Sequence, residues 1–255
     1  MFEWRAEPET CGVGVAFTDR LGGVSRPPFN TLNLGHSDID DAGLVVANHR
    51  LVRTALGVGK TMTIAQIHGN DVWQLTEPDV DAWHDGAEVG NCLPGQAALT
   101  RADAMTTDIE GVALCVRVAD CAPVMLADAS RRVIGAAHAG RRGLLAGVLP
   151  ATVQAMRRLG ADAITAWIGP HICGRCYEVP ADMAADAATV IPEAASTTSW
   201  GTPAIDVGRG AEAQLRRLGC DVVRVGRCTY ETPTLYSHRR DGVATGRQAG
   251  LIWLA

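Results

Sequence analysis

Aromatic side chains are scarce in this chain: three Phe, three Tyr and six Trp among 255 residues. Alanine and valine are therefore expected to fill much of the core. Long apolar runs are missing as well. No stretch approaches the roughly 18 apolar residues that cross a bilayer. The start, Met1-Phe2-Glu3-Trp4-Arg5-Ala6-Glu7, has acids where a signal peptide has bases followed by an apolar segment. A cytoplasmic protein without membrane attachment is expected. There is no excess of positive charge; the net charge is −5, which argues against nonspecific nucleic-acid binding. It leaves room for a local cationic pocket that takes phosphate. No His-x-Glu occurs, which excludes a cytidine-type deaminase, where that motif precedes Pro-Cys-x-x-Cys. Repeats, low-complexity tracts and linker-like segments are absent too, so residues 1–255 read as one mixed α/β domain.

What is present is ordinary for a soluble globule, with 47% hydrophobic and 20% charged residues. The eight cysteines invite a disulfide framework only in short secreted chains; here most are expected to be reduced and buried. Gly12–Thr18 reads as a strand that ends in a turn at Asp19–Gly23. Residues 24–30 are too proline-rich for a helix. Asp40–Leu56 has helical apolar spacing with Gly57 to stop it. Thr63–Ile67 reads as a short strand leading to His68. Residues 76–100, acidic with Gly and Pro, read as a surface excursion. Strands are expected at 112–118, 124–127 and 133–137, with a turn at 128–131. A helix over 143–159 should kink or restart at Pro150. Ile164–Ile168 and Asp221–Val225 read as strands, Asp206–Leu218 as a helix, and Gly250–Leu254 as a buried closing strand.

His68, Cys121 and His138 are the most informative set. Two imidazoles and a thiol can fill three positions of a tetrahedral zinc, leaving one for water or substrate. Separations of 53 and then 17 positions are too long for a zinc knuckle, so only the fold can bring the three together. Singly, each has a plainer reading: His68 as a turn histidine, Cys121 as packing at a strand end, His138 as a core residue. Asp120 can orient a histidine ligand or cap a turn. His138 lies among small neighbours, Gly135-Ala136-Ala137 and Ala139-Gly140, which leave space beside it. Arg141-Arg142-Gly143 then open a helix, where backbone N–H groups and a guanidinium suit an anion. Arg240 and Arg247 near the C-terminus offer further cations. Ser25 and Asn33, in an early loop, are polar candidates for reaching a pocket and binding substrate. Cys173-Gly174-Arg175-Cys176 has the C-x-x-C spacing of redox or zinc chemistry. Pro180 forbids an uninterrupted helix starting at Cys176, and Cys220 and Cys228 do not form a second C-x-x-C pair, so packing is the simpler reading.

Taken in order, these segments resemble one family. It comprises proteins once called multicopper polyphenol oxidases or laccases, also peptidoglycan editing factors, and later recognised as purine nucleoside phosphorylases. The match runs from Gly22-Gly23-Val24-Ser25 and Leu32-Asn33-Leu34-Gly35 through Gln66-Ile67-His68-Gly69, Ala102-Asp103-Ala104 and Ala119-Asp120-Cys121-Ala122-Pro123-Val124. It continues through His138-Ala139-Gly140, Arg142-Gly143, Ile168-Gly169-Pro170 and Tyr177-Glu178-Val179 to Ser237-His238-Arg239-Arg240-Asp241-Gly242 and Thr245-Gly246-Arg247. The resemblance implies a single α/β domain of layered mixed β-sheets flanked by helices, cytotoxic necrotizing factor-like or peptidoglycan editing factor-like. It implies one zinc on His68, Cys121 and His138. It also implies phosphorolysis of adenosine, inosine, guanosine and methylthioadenosine, with deamination of adenosine. Three positions depart from the family pattern: Arg141 stands where the family has Trp, Val118 where it has Thr, and Asn48-His49 where it has Asn-Arg.

Two mechanisms use the same residues. In one, phosphate attacks C1′ of a purine nucleoside while the base leaves, with Arg142 and Arg240 or Arg247 holding the anion, and a monomer or weak homodimer is expected. In the other, Cys121 is the nucleophile of a hydrolase that edits peptidoglycan precursors, activated by His138 or His68. A copper oxidase fits least, because seven scattered histidines do not supply the His-rich motifs of a multicopper centre. A binding module without catalysis is the remaining reading.

Overall fold

Along Val112–Val118 every residue is buried, yet successive side chains meet different neighbours. Val112, Leu114, Val116 and Val118 face one apolar cluster, and Ala113 and Cys115 face another. That two-residue alternation is the pleat of a strand covered on both faces, and it sets the layering of the molecule. The protein is seen in a computed structural model that describes residues 1–8, 12–35, 40–92 and 97–255, the side chains of 91 and 92 excepted.

In chain order the elements are β1 (Phe2–Ala6), β2 (Val13–Thr18), α1 (Ala42–Leu56), β3 (Lys60–Met62), β4 (Val72–Gln74), α2 (Glu77–Asp81), β5 (Ala104–Thr107), β6 (Val112–Val118), β7 (Ala122–Asp128) and β8 (Val133–Ala139). Then follow α3 (Arg141–Ala146), α4 (Val148–Arg158), β9 (Thr165–Ile168), α5 (Ala181–Val190), β10 (Ala195–Thr197), β11 (Pro203–Ile205), α6 (Val207–Arg217), β12 (Asp221–Arg224), α7 (His238–Asp241) and β13 (Gln248–Leu254). One mixed sheet has the order β1-β2-β13-β6-β3 and the other β12-β9-β7-β8-β5-β4; β10 and β11 pair separately.

The two large sheets pack face to face through Phe17, Leu114, Val116, Met125, Ile134 and Ile252. Helix α1 covers the outer face of the first sheet with Val52 and Leu56 against Ala16, Cys115 and Leu251. Helices α3, α4 and α6 cover the outer face of the second, with Leu144, Val153, Met156 and Leu215 against Val124, Leu126, Ala166 and Ile168. The result is the expected layered mixed-sheet α/β architecture, with small side chains prominent in every layer.

Several elements follow the sequence reading. Asp41 caps α1 by accepting from Gly43 and Leu44 amides at 2.7 and 3.2 Å, and Gly57 ends it in the left-handed region at φ 70°. Three expectations are corrected. Thr63–Ile67 is not a strand: β3 precedes it, and only Ala65 forms a bridge, with Arg101. Residues 76–100 are a surface excursion only in part: 76–78, 81–82, 84–85 and 97–98 are exposed, but Glu88 and Val89 are buried and Glu88 pairs with Arg53 of α1; residues 93–96 lie outside the described residues. The helix over 143–159 breaks at Gly147, φ 87°, between α3 and α4, and not at Pro150. Pro150 lies in the first turn of α4, where an N–H has no intrahelical acceptor to lose.

Candidate active site

Strand register brings the site together. Ala122 of β7 lies opposite Ala139 of β8, so Cys121, one residue earlier, meets the end of β8 where His138 sits. Cys121 thus opens a strand rather than ending one. Ala104 of β5 lies opposite Ala137 on the other side of β8. This places Asp103 beside His138, and their main chains are joined by the His138 N–H donating to the Asp103 carbonyl at 2.8 Å. His68 arrives on the loop between β3 and β4, in the left-handed region at φ 60°. The Asp103 carboxylate holds that loop by accepting from the amides of Ile67, His68 and Gly69 at 3.2, 2.9 and 2.6 Å. One buried carboxylate therefore fixes two of the three candidate ligands, since it also lies 2.8 Å from Nδ1 of His138.

The ligand atoms of His68, Cys121 and His138 lie within 4.8 Å of one another. His68 Nε2 is 3.9 Å from Cys121 Sγ, and the two imidazoles meet edge to face with centroids 4.7 Å apart. Asp103 on Nδ1 turns the other nitrogen of His138 towards the centre, the arrangement that orients a histidine for a metal. Burial opposes ionisation of Cys121, but the neighbouring His138 charge and hydrogen bonds from His138 and His68 outweigh it and lower the thiol to about 6. Burial likewise opposes protonation of His138, and the Cys121 thiolate together with Asp103 overrides it, raising the imidazole to about 9. Two imidazole nitrogens and an easily formed thiolate at these separations suit a soft or borderline metal ion. Asp120, at φ 88°, does not orient a histidine. It accepts from the Thr229 hydroxyl and the Arg239 amide, both at 2.6 Å.

These ligands lie on a cavity of about 600 Å³ at one end of the gap between the two sheets. Arg117 and Val118 close β6 there; Arg141 and Arg142 open α3; Tyr177, His238, Arg239 and Arg247 also line the wall. Of the sequence-expected substrate residues, Arg142 and Arg247 line this cavity. Arg240 does not. Its guanidinium donates to the carbonyls of Thr229, Tyr230, Thr232 and Leu235 and pairs with Asp241, so it staples the 229–241 segment. Ser25 and Asn33 are also displaced from the expected role. Both are buried and bond to Asp40 at 2.8 and 2.7 Å. Asn33 still reaches the cavity indirectly, because its Oδ1 accepts the amides of Gly35 and Arg247 at 2.9 and 2.8 Å.

The sequence assigns no role to Asp103 or Tyr177, and it places Arg141 and Arg239 only among the arginines able to hold an anion. Tyr177 carries the Arg239 guanidinium 5.1 Å above its ring, and burial raises its phenol against the pull of nearby Arg141. Asp103 stands out in the sequence only within the Ala102-Asp103-Ala104 segment of the resemblance, because the strand it precedes, β5, is four residues long and continuously buried. Arg141 and Arg142 are adjacent at the start of α3, and both reach the cavity.

Fold and site together define a layered α/β protein that presents two imidazoles and a thiol, a candidate metal centre, to an open cationic cavity. The chain belongs to the family described as multi-copper polyphenol oxidoreductase laccase, whose model matches residues 14–255. It is 47% identical over 248 residues to a purine nucleoside phosphorylase of Streptomyces coelicolor, covering 95% of this chain and 96% of that one. It is 36% identical over 256 residues to purine nucleoside phosphorylase YfiH of Escherichia coli, covering 97% and 96%. Among solved structures, the YfiH protein of Bacillus licheniformis superposes with TM-score 0.85 at 28% identity, covering 97% of this chain and 94% of that one. The Neisseria meningitidis protein NMB0706 superposes with TM-score 0.79 at 34% identity, covering 99% and 98%.

Proposed function

We propose that this protein is a zinc-dependent purine nucleoside phosphorylase acting on adenosine, inosine, guanosine and methylthioadenosine, with hydrolytic deamination of adenosine as a second activity. The observation that carries the reading is the convergence of His68, Cys121 and His138 on a cavity walled by arginines. The relatives named purine nucleoside phosphorylase, alike over nearly the whole chain, supply the substrate class. The donor set fits zinc: two imidazole nitrogens and one thiolate leave a fourth position open. When bound there, zinc supplies Lewis acidity towards a substrate atom or a water.

The chain's own residues supply positioning. Arg142, exposed at the start of α3, and Arg247 offer charge to phosphate. Held there, a phosphate oxygen attacks C1′ as the C1′–N9 bond breaks, giving ribose 1-phosphate (its 5-methylthio form from methylthioadenosine) and the free base, whose nitrogen takes up the proton that the hydrogen phosphate gives up. Fixing the two reactants beforehand removes much of the entropic part of the barrier. Asp103 keeps His138 in one tautomer and one orientation throughout.

The test is to incubate the metal-replete protein with adenosine, with and without phosphate, and separate the products. Ribose 1-phosphate only when phosphate is present, and inosine in either case, are expected. Unchanged turnover by Cys121→Ala would remove the metal from the reaction. A second reading has its own support: a thiol lowered to about 6 beside a histidine raised to about 9 is also how a cysteine nucleophile is prepared. Cys121 would then be the nucleophile of a hydrolase editing peptidoglycan precursors, activated by His138 or His68. Rapid alkylation of Cys121 in metal-replete protein, without loss of metal, would favour that alternative.

A further inference from the structure

A second ligand set lies apart from the cavity ligands. The sulfurs of Cys173, Cys176 and Cys228 and a carboxylate oxygen of Glu231 all lie within 4.8 Å of one another. The turn that carries the first two is closed by the amides of Cys176 and Tyr177, each donating to the Cys173 carbonyl at 3.0 Å. The Cys173 amide donates to Cys228 Sγ at 3.3 Å, as outer-shell donors do for thiolate ligands. All three thiols are free. Cys176 is buried, Cys173 and Cys228 half-buried, and Glu231 stands on the solvent side, with Arg175 3.7 Å away. The sequence lacks a second C-x-x-C, and the fold supplies the missing donors differently: Cys228 and Glu231 arrive from the segment after β12. Cys220 takes no part, being packed in the helix-side core.

We propose that Cys173, Cys176, Cys228 and Glu231 bind a structural zinc ion. Three thiolates and one carboxylate fill a tetrahedron, which is the closed arrangement of structural zinc and leaves no position for substrate. Donors around zinc at about 2.3 Å are roughly 3.8 Å apart, so modest side-chain adjustment closes the set. Binding releases the three thiol protons to solvent. The ion ties the turn before Tyr177 to the segment 228–231. That segment holds Thr229, whose hydroxyl bonds Asp120 beside Cys121, and its carbonyls receive Arg240. The site thus clamps the wall from which Tyr177 and Arg239 face the cavity.

The test is metal content by mass spectrometry on protein purified without chelator. Two zinc ions per chain are expected in the wild type, one in Cys176→Ser, one in Cys121→Ser, and none in the double variant. After cobalt exchange, Cys121→Ser should show intense thiolate-to-cobalt charge-transfer absorption, which only the second set can then supply. If Cys176→Ser fails to fold, Glu231→Ala, altered only at an exposed ligand, should fold and lose zinc to a chelator roughly tenfold more readily or worse. A wild type with one zinc that Cys121→Ser abolishes would overturn this inference and leave the cavity reading intact. Two zinc ions without any phosphorolysis would do the reverse. A chain lacking two hydrogens, with Cys173 linked to Cys176 on peptide mapping, would also overturn it and mark a redox pair.

Discussion

Asp103 is the residue on which the candidate centre depends most, although it touches no substrate. It is fully buried and serves three amides and one imidazole. Burial alone would raise its pKa, but those hydrogen bonds prevail and hold it below the usual carboxylate range. Asp103→Ala frees the His68 loop and unfixes His138, so metal affinity should fall about 10–100-fold, measured by competition with a chelator. Arg142 and Arg240 make a contrasting pair, alike in sequence and different in use. Arg142→Ala should raise the phosphate KM about tenfold or more while leaving Tm nearly unchanged, because an exposed guanidinium costs little to remove. Arg240→Ala should do the opposite. It leaves several backbone carbonyls without their charged donor and should cost about 2–3 kcal/mol in denaturant unfolding, with KM for phosphate less affected. If Arg240→Ala instead raised the phosphate KM without loss of stability, its stapling role would be wrong.

The junction from β8 into α3 shows what an element must be made of to carry a site. A Cβ added at Gly140 would lie 2.8 Å from Cys121 Sγ and 3.0 Å from His68 Cδ2, and one at Gly143 would lie 2.8 Å from the Gly69 carbonyl. The strand end and helix start can approach the candidate ligands only as glycines. Gly140→Ala should therefore displace a ligand and weaken metal binding by about tenfold to a hundredfold, with unfolding of the metal-free protein little changed. The break between α3 and α4 is a different use of glycine. Gly147→Ala forces φ 87° on a side chain, at about 1–2 kcal/mol, visible as a lower Tm. The small residues around His138 announce this junction in the sequence, and the strand runs of β6, β7 and β8 and the helical spacing and Gly57 stop of α1 are legible as well. Other elements were not legible. β3 and β4 are three residues each, too short to show a period, and β5 is continuously buried, a pattern that short runs of helix share. Composition reports average polarity, which describes the exposed part of residues 76–100 but not the burial of Glu88 among Arg53 of α1, the Thr61 hydroxyl and the Gly86 amide.

In the molecule as a whole, the cavity exists only because two sheets meet. His138 lies in one sheet, with Cys121 and Asp103 one residue before strands of it, whereas Arg117 and Val118 lie in the other, with Arg247 one residue before a strand of that sheet. No local pattern encodes that pairing, which is why the resemblance, and not spacing, pointed to the ligand set, and why Ser25 and Asn33 looked closer to the pocket than they are. The same layering places a histidine where protonation opposes folding. His49 of α1 is buried and hydrogen-bonded from its ring to the Leu34 carbonyl at 3.0 Å. Burial, then the charges of Arg117 and Arg53, lower its pKa from 6.5 to about 3. The folded protein therefore keeps His49 neutral where the unfolded chain already binds a proton. Its contribution is complete above pH 6.5 and is lost as the pH falls towards 3. Between pH 7 and pH 5 this one group should remove about 2 kcal/mol of stability. His171, also buried and lowered, acts in the same direction, so acid should destabilise the protein through both. The separable measurement is denaturant unfolding of wild type and His49→Gln at pH 7 and pH 5 with metal in excess. The variant is expected to be less stable at pH 7 but to lose about 2 kcal/mol less on acidification. Equal losses in the two proteins would show that His49 is protonated in the fold and that another group sets the acid limit.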